Sequence, residues 1–261
     1  RRIREHGMPM CAVAHDPAGH IDIEALKASA RAAATMEGRE LAAAVTREAP
    51  GEWDESAWNW DSGHGQGATT GPRVVVLDYG VKANILRLLV SAGARVAVVP
   101  GNTSAADILK LSPDGIVVSN GPGDPAATGA YALPTLRTLI DSNIPILGIC
   151  LGHQMLALAL GGRTVKMPQG HHGANHPVKN HETGQVEIVS MNHGFAVDGA
   201  SLPKDAVETH VSLFDGSNCG FRLTGKPVQA VQHHPEASPG PQDSFGVFDR
   251  FVGSLKVSEP A

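Results

Sequence analysis

Cysteine is scarce and spread out. Cys11, Cys150 and Cys219 are the three in the chain, an odd number with no Cys-x-x-Cys pair. That excludes a disulfide framework and fits a reducing compartment, so a cytoplasmic protein is expected. No apolar run approaches the roughly 18 residues of a transmembrane helix, and Arg1-Arg2-Ile3-Arg4 is not followed by the apolar stretch of a secretory signal. No membrane association is expected, and a chain that opens without Met reads as part of a longer one. A basic stripe is missing too: 21 Lys and Arg against 26 Asp and Glu leave a formal charge of −5, which argues against nucleic acid as a partner. No internal repeat is present. With 42% hydrophobic and 18% charged residues, disorder is excluded, and the expectation is a soluble globular chain built as one large domain, or as a main domain with an appendage.

What is present falls into three parts. Residues 1–49 hold an Ala-rich helical stretch from Ile23 to Ala34, with Asp16 or Asp22 available as its N-cap. Residues 50–72 turn to Gly, Ser, Thr, Asp and Asn and contain Trp53, Trp58 and Trp60, the marks of a linker that packs against its surroundings. Residues 73–256 alternate short Val/Ile runs (Val74–Leu77, Val96–Val99, Gly115–Val118, Ile144–Ile149) with helical patterns. Continuous apolar runs suit strands buried on both faces, so this part is an α/β domain, a mostly parallel open sheet flanked by helices. Gly161-Gly162 stops one helix, a closing helix is expected near residues 245–255, strands beyond residue 185 are expected to be short, and His171–Pro177 reads as a long loop.

Three motifs carry chemistry. Gly148-Ile149-Cys150-Leu151-Gly152 lies between a buried strand and a helix, the setting of a nucleophile elbow, and a cysteine at a helix N-terminus is favoured as thiolate. A thiolate nucleophile needs a base, and the base an orienter. Gln232-His233-His234-Pro235-Glu236 follows the strand Val228–Val231, and in extended geometry His234 and Glu236 project to one side. The third motif, Ser119-Asn120-Gly121-Pro122-Gly123-Asp124-Pro125, is a rigid turn after a strand whose backbone N–H groups suit an oxyanion.

These motifs, with His153-Gln154 after the elbow, resemble the class I (triad) glutamine amidotransferases. Gly170-His171-His172-Gly173-Ala174-Asn175-His176-Pro177-Val178, Asn192-His193-Gly194-Phe195-Ala196-Val197 and Pro235-Glu236-Ala237-Ser238-Pro239-Gly240-Pro241 are similar to the small, glutaminase subunits of carbamoyl-phosphate synthases. The resemblance implies a flavodoxin-like domain over residues 73–256, a linker over 50–72, and in 1–49 the end of a smaller N-terminal domain, whose upstream part would include a serine that helps to bind glutamine. It implies Cys150 as nucleophile, His234 as base and Glu236 as orienter. The Gly123 and Leu151 N–H groups would form the oxyanion hole, while Gly121, Gln154, Asn192, Gly194 and Phe195 would hold L-glutamine. Glutamine would be hydrolysed to glutamate and ammonia through a γ-glutamyl thioester. The ammonia would travel through a tunnel to a large subunit that makes carbamoyl phosphate for arginine and pyrimidine synthesis. No cofactor is implied in this chain; ATP, bicarbonate and Mg would serve the large subunit. His233 departs from the pattern, standing where such enzymes often have a smaller residue such as glycine, so its ring is expected near the triad.

Other signals are weaker. His171, His172, His176 and His181 fit no standard zinc spacing, and no metal site is expected. Asn102-Thr103-Ser104 matches a glycosylation sequon but reads as a helix N-cap region. Cys11 and Cys219 lack elbow context and read as structural. The alternatives are another triad amidotransferase subunit, or a silent binding subunit that keeps the fold; loss of the nucleophile would mark the latter, and Cys150 is present.

Overall fold

The computed structural model describes residues 1–67 and 69–256. Two helices, α1 (Arg2–His6) and α2 (Ile23–Ala32), begin the chain. Asp22 caps α2 by accepting the Ala25 N–H, and the helix buries none of its residues. The 50–72 window is built rather than loose: β1 (Gly51–Trp53) adds to the main sheet, and β2 (Glu55–Asn59) pairs with β3 (Gly63–Gln66) as a hairpin. Trp58 and Trp60 stack edge to face at its tip, with Trp60 85% exposed.

The apolar runs become strands as their composition requires. In order come β4 (Arg73–Asp78), α3 (Ala83–Ser91), β5 (Arg95–Pro100), α4 (Ala105–Lys110), β6 (Gly115–Val118), α5 (Pro125–Asp141), β7 (Ile146–Ile149) and α6 (Leu151–Ala159). Then follow β8 (Thr164–Asn180), β9 (Val186–Val197), β10 (Ala206–Ser212), β11 (Asn218–Leu223), β12 (Val228–Val231) and α7 (Gly246–Gly253). Ten strands form one sheet in the order β1-β5-β4-β6-β7-β12-β11-β10-β8-β9. Its centre, β5 through β12, is parallel, and both margins are antiparallel. One face carries a core of Val75, Leu77, Ile116 and Ile146 with Leu136, Leu139, Met155 and Leu156 from α5 and α6. The other packs Val74, Val76 and Val117 against Leu86, Leu89, Phe248 and Phe251 from α3 and α7.

Two expectations need correction. His171–Pro177 is not a loop but the middle of β8, paired with β9 from His171↔His193 to Pro177↔Ile188 across irregular register. The strands beyond residue 185 are not all short, since β9 runs twelve residues. Gly, His, Asn and Pro read locally as a loop, and what overrides that reading is a partner strand some twenty residues away plus bulges that absorb the poor strand formers. Ser104 caps α4 through the Asp107 N–H, which fits the capping reading of 102–104.

Candidate active site

Parallel strands release their chains at one edge of the sheet, and the order reverses between β4 and β6, where open α/β sheets hold ligands. The motif residues follow β6, β7 and β12 at that edge. Cys150 joins β7 to α6 with φ 54° and ψ −101°, a left-handed conformation that costs a non-glycine residue about 1–3 kcal/mol and persists where the surroundings enforce it. Here the enforcement is visible. The Cys150 N–H donates to Val231 O at 2.9 Å, tying the elbow to the end of β12. A Cβ on Gly152 would lie 2.0 Å from Val118 O, so only glycine lets α6 start this close to β6.

The end of β12 brings up the partners. His234 and Glu236 are 3% and 1% exposed, and Glu236 Oε1 lies 2.7 Å from His234 Nδ1, which leaves Nε2 for Cys150. Burial works against a charged His234, but the charge and hydrogen bond of Cys150, then those of Glu236, outweigh it and push the imidazole up to about 10. Burial likewise opposes ionisation of Glu236, yet the His234 hydrogen bond and charge, with Lys82 beyond, hold its carboxyl below the usual range. A buried imidazolium between a sulfur and a carboxylate is arranged to give a proton to a leaving group and later to take one from water.

Cys150 and His234 face a cavity of about 390 Å³ whose lining also includes Gly121, Gly123, Gln154, Asn192, Gly194 and Phe195. Gln154 Nε2 donates to Phe195 O at 2.7 Å and to Gln232 Oε1 at 2.9 Å, which fixes the strand β9 wall against α6. Asn192 Oδ1 sits 2.8 Å from His172 Nδ1. Leu151, the first residue of α6, is buried and is not among the lining residues. The structure therefore gathers Cys150, His234 and six of the seven expected substrate residues around one cavity, with Glu236 directly behind His234.

Residues 75–254 match the Glutamine amidotransferase class-I family. The chain belongs to that family. It is 75% identical over 256 residues to the carbamoyl phosphate synthase small chain of Maricaulis maris, covering 98% of this chain and 66% of that one. It is 60% identical over 263 residues to the protein of the same name from Rhizobium meliloti, covering 99% and 66%. The chain thus spans just under two thirds of the length of these relatives. Among solved structures, a proposed GMP synthase subunit from Thermoplasma acidophilum superposes with a TM-score of 0.61 at 26% identity, over 72% of this chain and 96% of that one.

Sequence reasoning missed part of the site. Lys82 lines the cavity and its Nζ lies 3.6 Å from Glu236 Oε1, a second cation on that carboxylate; its place just past β4, at the reversal of strand order, was the available signal. Asn84 donates to Glu236 O at 2.6 Å. Met36, far away in sequence, also lines the cavity, and nothing local could reveal it. His233 does not line the cavity: fully buried, its ring packs on His210 at 5.6 Å, and burial first, then the neighbouring imidazoles, hold it well below its ordinary range. His171 pairs with Asp215 at 2.9 Å, and among the described residues no group of three or more His, Cys, Asp or Glu is arranged to hold a metal ion. Cys219 is buried, its thiol pushed up to about 12 chiefly by burial, whereas Cys11 is exposed and not a packing residue. Among the described residues no helix is long and apolar enough to cross a membrane.

Proposed function

We propose that this chain is the glutamine-hydrolysing part of a carbamoyl phosphate synthase small chain. The observation that carries the reading is one cavity holding a thiol on a strained elbow beside a buried imidazole whose Nδ1 is 2.7 Å from a carboxylate. On this reading the Cys150 sulfur attacks the side-chain amide carbon of L-glutamine. The amide oxygen takes up negative charge against the N–H groups of Gly123 and Leu151. His234 Nε2 gives its proton to the nitrogen, the C–N bond breaks, and ammonia leaves a γ-glutamyl thioester on Cys150. Water then attacks the thioester carbon and loses a proton to His234 while the carbon–sulfur bond breaks, releasing glutamate and restoring the Cys150 thiolate beside a protonated His234. Glu236 keeps the imidazole in the tautomer that points Nε2 at sulfur. Gly121, Gln154, Asn192, Gly194 and Phe195 form the glutamine pocket.

The relatives named as small chains, 75% and 60% identical, support a large partner subunit that consumes the ammonia. ATP, bicarbonate and magnesium then act in that partner, whereas the step assigned to this chain needs only thiol, imidazole, carboxylate and water. The test is glutamate and ammonia release from L-glutamine, by the chain alone and mixed with the large subunit of a carbamoyl phosphate synthase. The reading predicts slow release alone and faster release in the mixture. A rate of release that stays the same in the mixture, with no glutamine-dependent carbamoyl phosphate, would instead favour a differently partnered amidotransferase.

A further inference from the structure

The turn offered to the oxyanion is held from outside its own domain pattern. Residues 36–46 run across it as a strap. Glu40 forms an isolated antiparallel bridge with Gly123; the Asp124 N–H donates to Arg39 O at 2.9 Å, and the Gly38 N–H to Asp124 Oδ2 at 2.8 Å. Contact is so close that a Cβ on Gly123, whose φ is 98°, would lie 2.7 Å from Arg39 O. On its other side the turn is tied to the loop after β4: Ser119 Oγ accepts the Tyr79 N–H at 3.0 Å, and Asn120 Nδ2 donates to Gly80 O at 3.1 Å.

The strap is itself anchored. Ala42 is fully buried in the core, and Thr46 Oγ1 donates to Asp78 O at 2.5 Å while accepting the Gly101 N–H at 2.9 Å. The remaining anchor is the Glu40 carboxylate. It accepts the Ala43 N–H at 3.0 Å and faces Thr128 Oγ1 and Tyr131 Oη, each at 3.4 Å, on α5. Helix α5 starts directly after the turn, with Asp124 as its cap. One carboxylate therefore links the strap to the helix that carries the turn forward, and Met36 at the head of the strap forms part of the cavity wall.

We propose that the 36–46 strap sets the position of the Gly123 N–H group, with Glu40 as the positioning residue, so that the stretch before the sheet tunes oxyanion stabilisation. This rests on the glutaminase reading above. Oxyanion donors act only when placed to within a fraction of an ångström, and misplacement by about 1 Å lowers turnover on the order of a hundred-fold without abolishing binding.

The experiment compares wild type, Glu40→Ala and Glu40→Gln by three measurements: glutamine hydrolysis, alkylation of Cys150 by iodoacetamide read at the peptide level, and amide hydrogen exchange. Alkylation needs the thiol but no oxyanion hole. Glu40→Ala is expected to lower kcat by roughly ten-fold or more with KM changed less than about three-fold, to leave the Cys150 alkylation rate unchanged, and to speed exchange at residues 121–124 only. Glu40→Gln, whose amide oxygen still accepts, should recover most of the loss. An unchanged kcat in Glu40→Ala overturns the proposal. So does a parallel fall in kcat and alkylation with faster exchange throughout, which marks a merely structural role. If wild type released no glutamate, the functional reading would fall instead, and exchange would decide the strap: loss of protection confined to 121–124 supports it, unchanged protection overturns it.

Discussion

Acid should destabilise this fold through histidines buried in the neutral state, and His153 gives the clearest magnitude. Its ring is fully buried beside Phe221 at 5.2 Å, and among the described residues neither nitrogen has a hydrogen-bond partner. Burial first, then His193 and His210, hold it down to about 3. An unfolded histidine titrates near 6.5, so the unfolded state binds the extra proton and the contribution is fully present above about pH 6.5, falling as pH falls. Between pH 7.5 and 5.0 the loss is about 1.36 kcal/mol per unit over about 1.5 units, or about 2 kcal/mol from this residue. His193, held down to about 3 mainly by burial, acts in the same direction. His234, raised to about 10, contributes stability that is fully present below about pH 6.5 and lost as pH rises through about 10, so between pH 7.5 and 6.5 it acts in the opposite sense, equally in wild type and variant, and cancels in their comparison. Glu236, whose pKa is lowered, loses its contribution only as pH falls below the ordinary carboxylate range. The perturbation is His153→Phe, and the assay is urea unfolding at pH 7.5 and 5.0. Any packing change from phenylalanine enters equally at both pH values and cancels in the difference. The variant should lose about 2 kcal/mol less than wild type across the interval; identical losses in the two proteins would refute the reasoning.

Removing the base should cost more than neutralising its orienter: His234→Ala is expected to abolish turnover and Glu236→Gln to leave a measurable residue, checked by glutamate release over a pH series. Gly152→Ala should destabilise by on the order of 3 kcal/mol, because its Cβ meets the Val118 carbonyl, a backbone atom that cannot yield; thermal unfolding against wild type measures it. Cys150→Ala should unfold cooperatively like wild type while losing all glutaminase activity, since one buried sulfur is a small cavity.

The centre of the sheet was legible because Val74–Leu77 or Gly115–Val118 can satisfy their apolar faces only inside a covered parallel sheet. The elbow and the His-Pro-Glu pair were legible because each is short, local and placed at a strand end. The β8–β9 ribbon was not, since its Gly, His and Asn residues become a strand only through their partners. Lys82 and Met36 were missed for a related reason. A lysine in a loop and a methionine in an Ala-rich stretch acquire meaning only when the loop after β4 reaches the segment after β12, and when residue 40 crosses residue 123. The expectation of the His233 ring near the triad failed because successive side chains leave a strand end on opposite sides: His234 enters the cavity, while the His233 ring turns to His210.

The central claim is that Cys150 becomes acylated. Acid quench of the chain during turnover with isotopically labelled L-glutamine, followed by peptide mass analysis, measures it directly. The account predicts a γ-glutamyl adduct on the Cys150 peptide that accumulates before steady state and disappears when glutamine is exhausted. Turnover with no adduct at Cys150, or with label on Cys11 or Cys219 instead, would contradict it.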